Sequence, residues 1–397
     1  MKPSIAFLHI CFVSQEYPPE TGWGGIGAYT YEMACGLAAA GHRVTVISLA
    51  VGAETTREIA GVTVHRVLPA PQFDSMRALW RLNRYWPGFA WAAMLRFRKL
   101  HADQKVDLVE AAEGRADGFF ITLLRNRPPV VARLHTARIF VDRLNGIRAD
   151  RKERFMYWLE RRAILGADMV TAPSRAVVDL TRAWLPHDRR QVAVVPNPVD
   201  TCAFAPNDEP RRLEVLIVGR LERRKLGDLP EAMPSVMERC PEAVFRFVGG
   251  DGPDESGHSW RERLMEGLPP EQRNRLVFEQ VPRDQLAQRY RQAAVVVMAS
   301  RWENFPYALL EAMACGTPAV ATRTGGLPQI VSDGVNGVVV PPEAAGALAE
   351  AICMLLERPD VRRQMGVSAR QAVEERFSLE AIIPKMLEVY KSAAGFS

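Results

Sequence analysis

Short apolar runs that alternate with longer helical patterns constrain this chain most. They begin with IAFLHICFV, RVTVISL, VTVHRVL, VDLVEAA, PVVARLHT, ADMVTAPS and QVAVVPN. Near-continuous apolar runs separated by helix-length intervals predict strands of a parallel sheet, buried on both faces. After Pro196 the alternation pauses in NPVDTCAFAPNDEPRR, a proline-rich polar stretch that reads as a linker. It restarts with LEVLIVGRL, AVFRFVGGDGP, RLVFEQV, AAVVVMAS, PAVATRT and NGVVVPP. The expectation is an α/β protein with two doubly wound parallel-sheet domains in series, and 397 residues suffice to give each its own core.

Several classes are disfavoured. Cys11, Cys35, Cys202, Cys240, Cys315 and Cys353 lie far apart and never form a C-x-x-C pair, so neither a disulfide framework nor a thiolate zinc site is indicated. A reducing, cytoplasmic setting fits. The opening MKPSIAFLHICFVSQEYPPE carries a histidine inside its apolar run and leads into an acidic, proline-containing loop, so it reads as a buried strand and not as a signal peptide. No stretch approaches the ~20 apolar residues of a spanning helix, which leaves a soluble chain or one attached at a membrane surface.

Charge is concentrated. Phe73 to Lys105 holds seven Lys or Arg against two Asp, and Arg138 to Arg162 eight basic against four acidic residues, while the whole chain is only +5. In the first segment Trp80, Tyr85, Trp86, Phe89 and Trp91 interleave with the cations. That composition suits an anionic membrane surface, on the inner face of which the protein would sit peripherally, or an acidic acceptor. It suits equally a core-packing helix pair with a solvated basic face. No nucleic-acid motif accompanies it, so no nucleic-acid partner is expected.

In doubly wound sheets ligands bind beyond the carboxyl ends of strands, and three motifs lie there. TGWGGIGAYTYEMACG contains G-x-G-x-x-G at Gly22, Gly24 and Gly27. A dinucleotide site is disfavoured, because these glycines come well after their strand and the next strand, ending VISLA, supplies no acid for a ribose. What remains is a glycine loop opening a helix, able to receive a phosphate or sugar oxygen, or a plain turn. In LIVGRLERRKLGDL, Arg220 and Lys225 follow a strand and could flank a diphosphate. A cation about 4 Å from a phosphate is worth up to ~4 kcal/mol in a partly screened site. The third motif, RWENFPYALLEAMACG, places Glu303 on a loop and Glu311 inside a helix that starts at Pro306 and ends at Gly316. Alone, both acids read as readily as caps or solvated residues.

Together these residues resemble the retaining glycosyltransferases of the large group 1 family, which have the GT-B fold. The match spans essentially the whole chain: the E-x(7)-E motif from Glu303 to Glu311, with VGRLERRK, VGGDGP, TGGLPQIVSDGVNGVVVPP, RLHT, VVPNPVD and YPPETGWGGIG. The resemblance implies two Rossmann-like domains facing a cleft: an acceptor-binding domain of residues 1–200 and 378–397, and a donor-binding domain of residues 201–377. The last segment, FSLEAIIPKMLEVYKSAAG, would cross back to the amino domain as a helix. Arg220 and Lys225 would bind the diphosphate of a nucleotide sugar, Glu303 the sugar hydroxyls and Glu311 the ribose. Backbone groups at Asn304 and Phe305 would face sugar and phosphate, and backbone around Val281 the base. His135 would face the donor sugar, with Gly24, Gly25 and Gly27 near acceptor and diphosphate. The acceptor would be a saccharide or lipid-linked hydroxyl.

The chain departs from the family pattern at Leu226, where glycine usually follows the lysine, at Pro198, and at Gln329 in place of a frequent glutamate. No D-x-D occurs and the histidines are scattered, so no metal or other cofactor is expected. Three rival functions remain at this level: an NAD-dependent oxidoreductase using the glycine loop, a non-catalytic nucleotide-sugar-binding protein, and a sugar-nucleotide epimerase, for which no residue speaks.

Overall fold

The computed structural model describes residues 7–70, 85–253 and 257–395. The chain divides into two units, Met1–Pro198 with Ile382–Ser397, and Val199–Ala381.

The first unit is built on β1 (His9–Val13), β2 (Arg43–Leu49), β3 (Thr55–Ile59), β4 (Val62–Val67), β5 (Leu108–Ala112), β6 (Val130–Arg133), β7 (Met169–Ala172) and β8 (Val192–Val194). Their order in the sheet is β3-β4-β2-β1-β5-β6-β7-β8. Connections between parallel neighbours carry α1 (Gly25–Ala39), α3 (Phe119–Thr122), α4 (Arg138–Leu144), α5 (Arg151–Gly166) and α6 (Arg175–Trp184), and α2 (Tyr85–Asp103) lies on the longer crossover from β4 to β5. One strand departs from the all-parallel expectation. β3 pairs antiparallel to β4 through a turn at Ala60 and Gly61, both at positive φ. Its sequence TTREI is polar and edge-placed, so no apolar run announces it.

The aromatic segment is mostly interior where it is described. Phe89, Ala93, Met94, Phe97 and Leu100 of α2 pack in the core with β1 and β5, and Trp91 meets Phe120 edge-on at 5.0 Å. Trp80 lies outside the described residues, as do the side chains of Tyr85 and Trp86. For Phe89 and Trp91 the structure favours the core-packing reading of the two: Phe89 is fully and Trp91 partly buried, and fully burying a side chain such as Phe contributes about 1.5–3 kcal/mol.

The second unit contains β9 (Glu214–Val218), β10 (Val244–Val248), β11 (Leu276–Glu279), β12 (Val295–Met298), β13 (Ala319–Thr322) and β14 (Gly337–Val340), all parallel, in the order β11-β10-β9-β12-β13-β14. Helices α7 (Arg223–Leu226), α8 (Leu229–Arg239), α9 (Trp260–Glu266), α10 (Pro270–Arg273), α11 (Arg283–Gln292), α12 (Tyr307–Ala314), α13 (Leu327–Ile330), α14 (Ala345–Glu357) and α15 (Pro359–Arg376) surround it. Strand parity divides the core in two, because successive side chains point to opposite faces. Val215, Ile217, Val295 and Val297 pack with α8 and α14, whereas Leu216, Val296 and Met298 pack with α12 and α15.

The final helix, α16 (Leu379–Ala394), buries Ile382, Ile383, Met386, Leu387 and Tyr390. From Ile382 onward it belongs to the first unit, where the Tyr390 hydroxyl donates to Glu110 Oε2 at 2.6 Å.

Both strand orders reverse at one point. In the first sheet β1 lies between β2 and β5, and in the second β9 lies between β10 and β12. Such switch points leave a crevice beyond the strand ends, because successive crossovers leave in opposite directions.

Candidate functional site

At the switch point of the second unit, the loops after β9 and β12 meet. Arg220 is exposed and Lys225 half-buried. Their side chains lie over glycines of neighbouring strand ends: a Cβ on Gly219 would stand 2.9 Å from Lys225 Nζ, and one on Gly252 3.2 Å from Arg220 Nε. Gly249, at φ +149, approaches so closely that a Cβ would collide with the Gly219 carbonyl oxygen. Glycine alone lets the two loops close to this distance. The residue expected as glycine after the lysine is Leu226, buried in the core, and Gly227 one position later, at φ +51, passes against the Ala299 carbonyl. The turn survives this departure by a shift of one residue.

Glu303 is buried beside them. Its Oε1 accepts from Ser300 Oγ at 3.2 Å and lies 3.6 Å from a nitrogen of Arg224. Arg224 also donates to the Trp302 carbonyl at 2.9 Å and pairs with Glu222 at 2.7 Å, and the Arg301 N–H donates to the Arg224 carbonyl at 2.7 Å. One guanidinium thus ties the β9 loop to the β12 loop. On the other side the Gly326 N–H donates to the Glu303 carbonyl at 2.9 Å.

Beyond Glu303 the chain enters α12, with Pro306 at the N-cap. The Phe305 ring is core, packed edge-on against Phe377 at 5.4 Å, so only the backbone of Phe305 is available to a ligand. Asn304 is half-buried, as is Val281, which packs against the core shared by α12. Glu311, on α12, is buried with both oxygens engaged: Oε1 accepts from Arg283 at 2.6 Å and Oε2 from the Tyr290 hydroxyl at 2.8 Å. Arg283 lies over the Phe204 ring at 5.1 Å.

The switch point of the first unit is built differently. Three buried carboxylates hold the loops after β1, β5 and β6 by accepting backbone N–H groups. Glu113 accepts from His135 at 2.7 Å and Thr136 at 2.8 Å; Asp117 from Gln15 at 2.8 Å; Glu160 from Arg115 at 3.0 Å and Arg138 at 2.9 Å. Burial pushes Glu113 and Asp117 up to about 7 and Glu160 up to about 8, against the pull of those donors. His135 is buried with its ring edge-on to Tyr29 at 5.3 Å. Burial, with Arg133 beside it, holds the imidazole down at about 3, so it is neutral at physiological pH.

Gly24 is the N-cap of α1, Gly25 begins it, and Gly27 is buried in its first turn. The helix start is already faced by an anion: Glu16 Oε2 accepts from the Gly27 N–H at 3.3 Å, while Arg115 holds Oε1 at 3.1 Å. A Cβ on Gly27 would stand 2.7 Å from the Gly22 carbonyl oxygen. Among the described residues, no three His, Cys, Asp or Glu side chains gather in a way that would hold a metal ion. No helix there is long and apolar enough to cross a membrane.

Comparison with known proteins shows the family to which the chain belongs. The family model described as Glycosyl transferases group 1 matches residues 203–372, and that of Glycosyltransferase Family 4 matches residues 23–202. The D-inositol 3-phosphate glycosyltransferase of Geodermatophilus obscurus is 31% identical, over 98% of this chain and 89% of that protein. The chain belongs to the group 1 glycosyltransferases. Among solved structures, sucrose-phosphate synthase from Thermosynechococcus elongatus is similar with a TM-score of 0.76 at 23% identity, covering 98% of this chain and 100% of the other. Anabaena HepE in complex with UDP-glucose is similar with a TM-score of 0.71 at 20% identity, covering 97% and 100%. The fold is GT-B.

Within this glycosyltransferase, the structure brings Arg220, Lys225, Glu303 and the start of α12 to one switch point, with Glu311 behind them. It places His135 and the Gly24–Gly27 loop at the switch point of the other unit. Sequence reasoning missed Arg224, Arg283, Tyr290, Glu16 and Glu113. Two signals were there: Arg224 stands between the singled-out Arg220 and Lys225, and Arg283 lies two positions after Val281, whose backbone the resemblance places near the base.

Proposed function

We propose that this enzyme transfers a hexose-type sugar from a nucleotide diphosphate sugar, with retention of configuration, to a hydroxyl of a saccharide or lipid-linked acceptor in polysaccharide or glycolipid synthesis. An anionic membrane surface is its second partner. The carrying observation is the crowding of Arg220, Lys225 and Glu303 at one sheet's switch point. Two cations there can neutralise a departing diphosphate, and a buried acceptor carboxylate can orient sugar hydroxyls. Glu311 takes the ribose: each oxygen keeps a lone pair beyond its present bond. The amides at Asn304 and Phe305 add donors at the start of α12, and backbone near Val281 lies by the base.

With cations supplied by the chain, the diphosphate needs no metal in this reading. The leaving phosphate takes the acceptor proton, and the acceptor attacks the face from which it departs. His135, neutral at physiological pH, acts as a hydrogen-bonding group toward the sugar and not as a charge. Glu16 at the start of α1 would repel a phosphate but accept a hydroxyl, so the Gly24, Gly25 and Gly27 loop reads a sugar or acceptor hydroxyl. HepE, at 20% identity, is a UDP-glucose complex, which makes UDP-glucose the first donor to try.

The experiment is thermal stabilisation by UDP-, GDP- and ADP-sugars beside NAD, followed by NMR assignment of the product anomer. A donor at 100 times its dissociation constant adds about 2.7 kcal/mol. An inverted anomer would end the retaining reading, and full loss of turnover in chelator restored by Mg²⁺ would end the metal-free one. Stabilisation by NAD alone would overturn the donor assignment.

A further inference from the structure

Sequence composition leaves the segment from Phe73 to Lys105 open as a basic, aromatic surface or a core-packing helix, and Phe89 and Trp91 there face the core. The exposed counterpart lies on α5. Arg151, Phe155, Trp158, Arg162 and Leu165 follow one another at spacings of four, three, four and three residues, which puts them on one helix face. Phe155 is 37%, Trp158 49% and Leu165 39% exposed. Arg154 and Arg161 flank this stripe and are exposed too. The opposite face, with Met156, Leu159 and Ala163, packs on Ala116 and Phe119.

The acids of α5 are turned away from that face. Glu160 is buried, and Glu153 reaches back to the Asp150 N–H in a capping box. A solvated helix face ordinarily mixes signs, so a stripe of arginines and large apolar groups with no acid among them fits no purely aqueous role. The aromatic groups are held in place: Phe155 and Trp158 stack at 5.9 Å and 17°, Phe119 lies 6.2 Å from Trp158, and Arg162 sits 6.0 Å from its ring. Prearranged rings lose little freedom when covered. The neighbouring connection adds Arg143, Ile147 and Arg148, all exposed.

We infer that this face of α5 is the site at which the enzyme lies on an anionic lipid bilayer. Trp158, Phe155 and Leu165 would enter the headgroup boundary, and Arg151, Arg154, Arg161 and Arg162 would meet lipid phosphates while their stems line the apolar edge. Nucleic acid fits less well, since the two rings cover each other instead of presenting open faces for bases. The inference locates the membrane partner proposed above and rests on that part of the reading. Its test involves no sugar transfer, so failure leaves the transferase assignment standing.

The measurement is co-sedimentation of the full chain with vesicles of phosphatidylcholine alone and of phosphatidylcholine mixed equally with phosphatidylglycerol, at low and high salt. Binding is expected only to the anionic vesicles and is expected to weaken with salt. Neutralising Arg154, Arg161 and Arg162 to Gln is expected to lower the partition coefficient about fivefold per cation, about a hundredfold in all. Trp158→Ser is expected to lose the fluorescence blue shift that accompanies binding. Both variants change exposed residues, and unchanged donor-induced stabilisation checks that they fold. No binding to anionic vesicles, equal binding by the triple variant, or equal binding to neutral vesicles would each overturn the inference. So would a concentration-dependent dimer that Trp158→Ser dissolves, because the face would then cover a second copy of this chain.

Discussion

The two switch points of this glycosyltransferase use carboxylates in opposite ways. In the second unit Glu303 and Glu311 stand against arginines, Arg224 at 3.6 Å and Arg283 at 2.6 Å, and two further cations, Arg220 and Lys225, are accessible. In the first unit Glu113 and Glu160 accept backbone N–H groups, and so does Asp117, and none of the three forms an ion pair among the described residues. Charge kept partly free suits a ligand that arrives and leaves as an anion. Charge spent on backbone donors suits a rigid frame around a neutral hydroxyl. The difference teaches that acids at equivalent places in the same architecture can be held by charged side chains in one unit and by backbone donors in the other, which under the proposed function divides them between substrate and scaffold.

The comparison breaks most sharply at the cations. Lys225→Ala is expected to lower kcat about 10²–10³-fold, some 2.7–4 kcal/mol, as loss of one preorganised charge at a developing anion does. Arg220→Ala should act in the same direction, and because Arg220 is exposed its melting temperature should stay close to wild type. Steady-state kinetics and a thermal melt on the same samples separate the two effects. A large loss of stability in Arg220→Ala, with turnover kept, would make this switch point a scaffold like its counterpart.

Glu113→Ala is the reciprocal test. It leaves the buried N–H of His135 and the half-buried N–H of Thr136 unsatisfied, and each such loss costs about 1–3 kcal/mol when the group is buried. The expected result is a fall of about 2–4 kcal/mol in unfolding free energy, read by denaturant titration, with donor affinity unchanged. Weakened donor binding at unchanged stability would show that Glu113 serves the ligand after all.

Glu311→Gln probes the border between the two uses. The amide oxygen can replace only one acceptor, so a donor ribose and Arg283 would compete for it. Donor dissociation constants are expected to rise about 5–50-fold, or 1–2.3 kcal/mol, by calorimetry. Unchanged donor affinity with a lowered melting point would assign Glu311 to the Arg283 and Tyr290 network alone.

Legibility in the sequence divided along physical lines. Every strand built from a continuous apolar run was readable, since burial on both faces writes itself into composition; the polar edge strand TTREI was not. Arg220, Lys225 and the two glutamates stood out because they lie at strand ends and helix starts with fixed spacing. Arg224 and Arg283 did not, because which of many arginines meets a given carboxylate depends on loops that converge only in the fold. Glu113, Asp117 and Glu160 were invisible for a further reason. Their partners are chiefly backbone amides, which carry no residue identity, and even where Asp117 also takes the Gln15 side-chain amide at 2.6 Å the partner lies 102 positions away, as Arg115 lies 45 from Glu160. The basic aromatic segment left two readings open because interleaved charge and aromatics describe an amphipathic helix without saying which face turns inward.

The finest test concerns the scaffold acids themselves. Glu160 sits near 4.5 in an unfolded chain and is raised to about 8 by burial in the fold. Between those values the folded state holds a proton that the unfolded state has released, so stability from this group is present at low pH and lost as pH rises toward 8. Glu113 and Asp117, at about 7, contribute in the same direction but have largely titrated by then. His135, lowered to about 3, loses stability in the opposite sense as pH falls from about 6.5 toward 3 and is silent above that window. Over the interval from about 7 to 8 Glu160 holds the largest share of the titrating protons while Glu113 and Asp117 still add a smaller one, so its own slope, below about 1.4 kcal/mol per pH unit, is read as the difference between wild type and a Glu160 variant. Glu160→Gln is expected to be less stable throughout, from the lost acceptor, yet to show a flatter decline over that interval in urea titrations. An equal slope in variant and wild type would mean that the N–H donors of Arg115 and Arg138 keep the carboxylate ionised against its burial. The first unit's acids would then be as fully charged as the second's, differing from them only in what they hold.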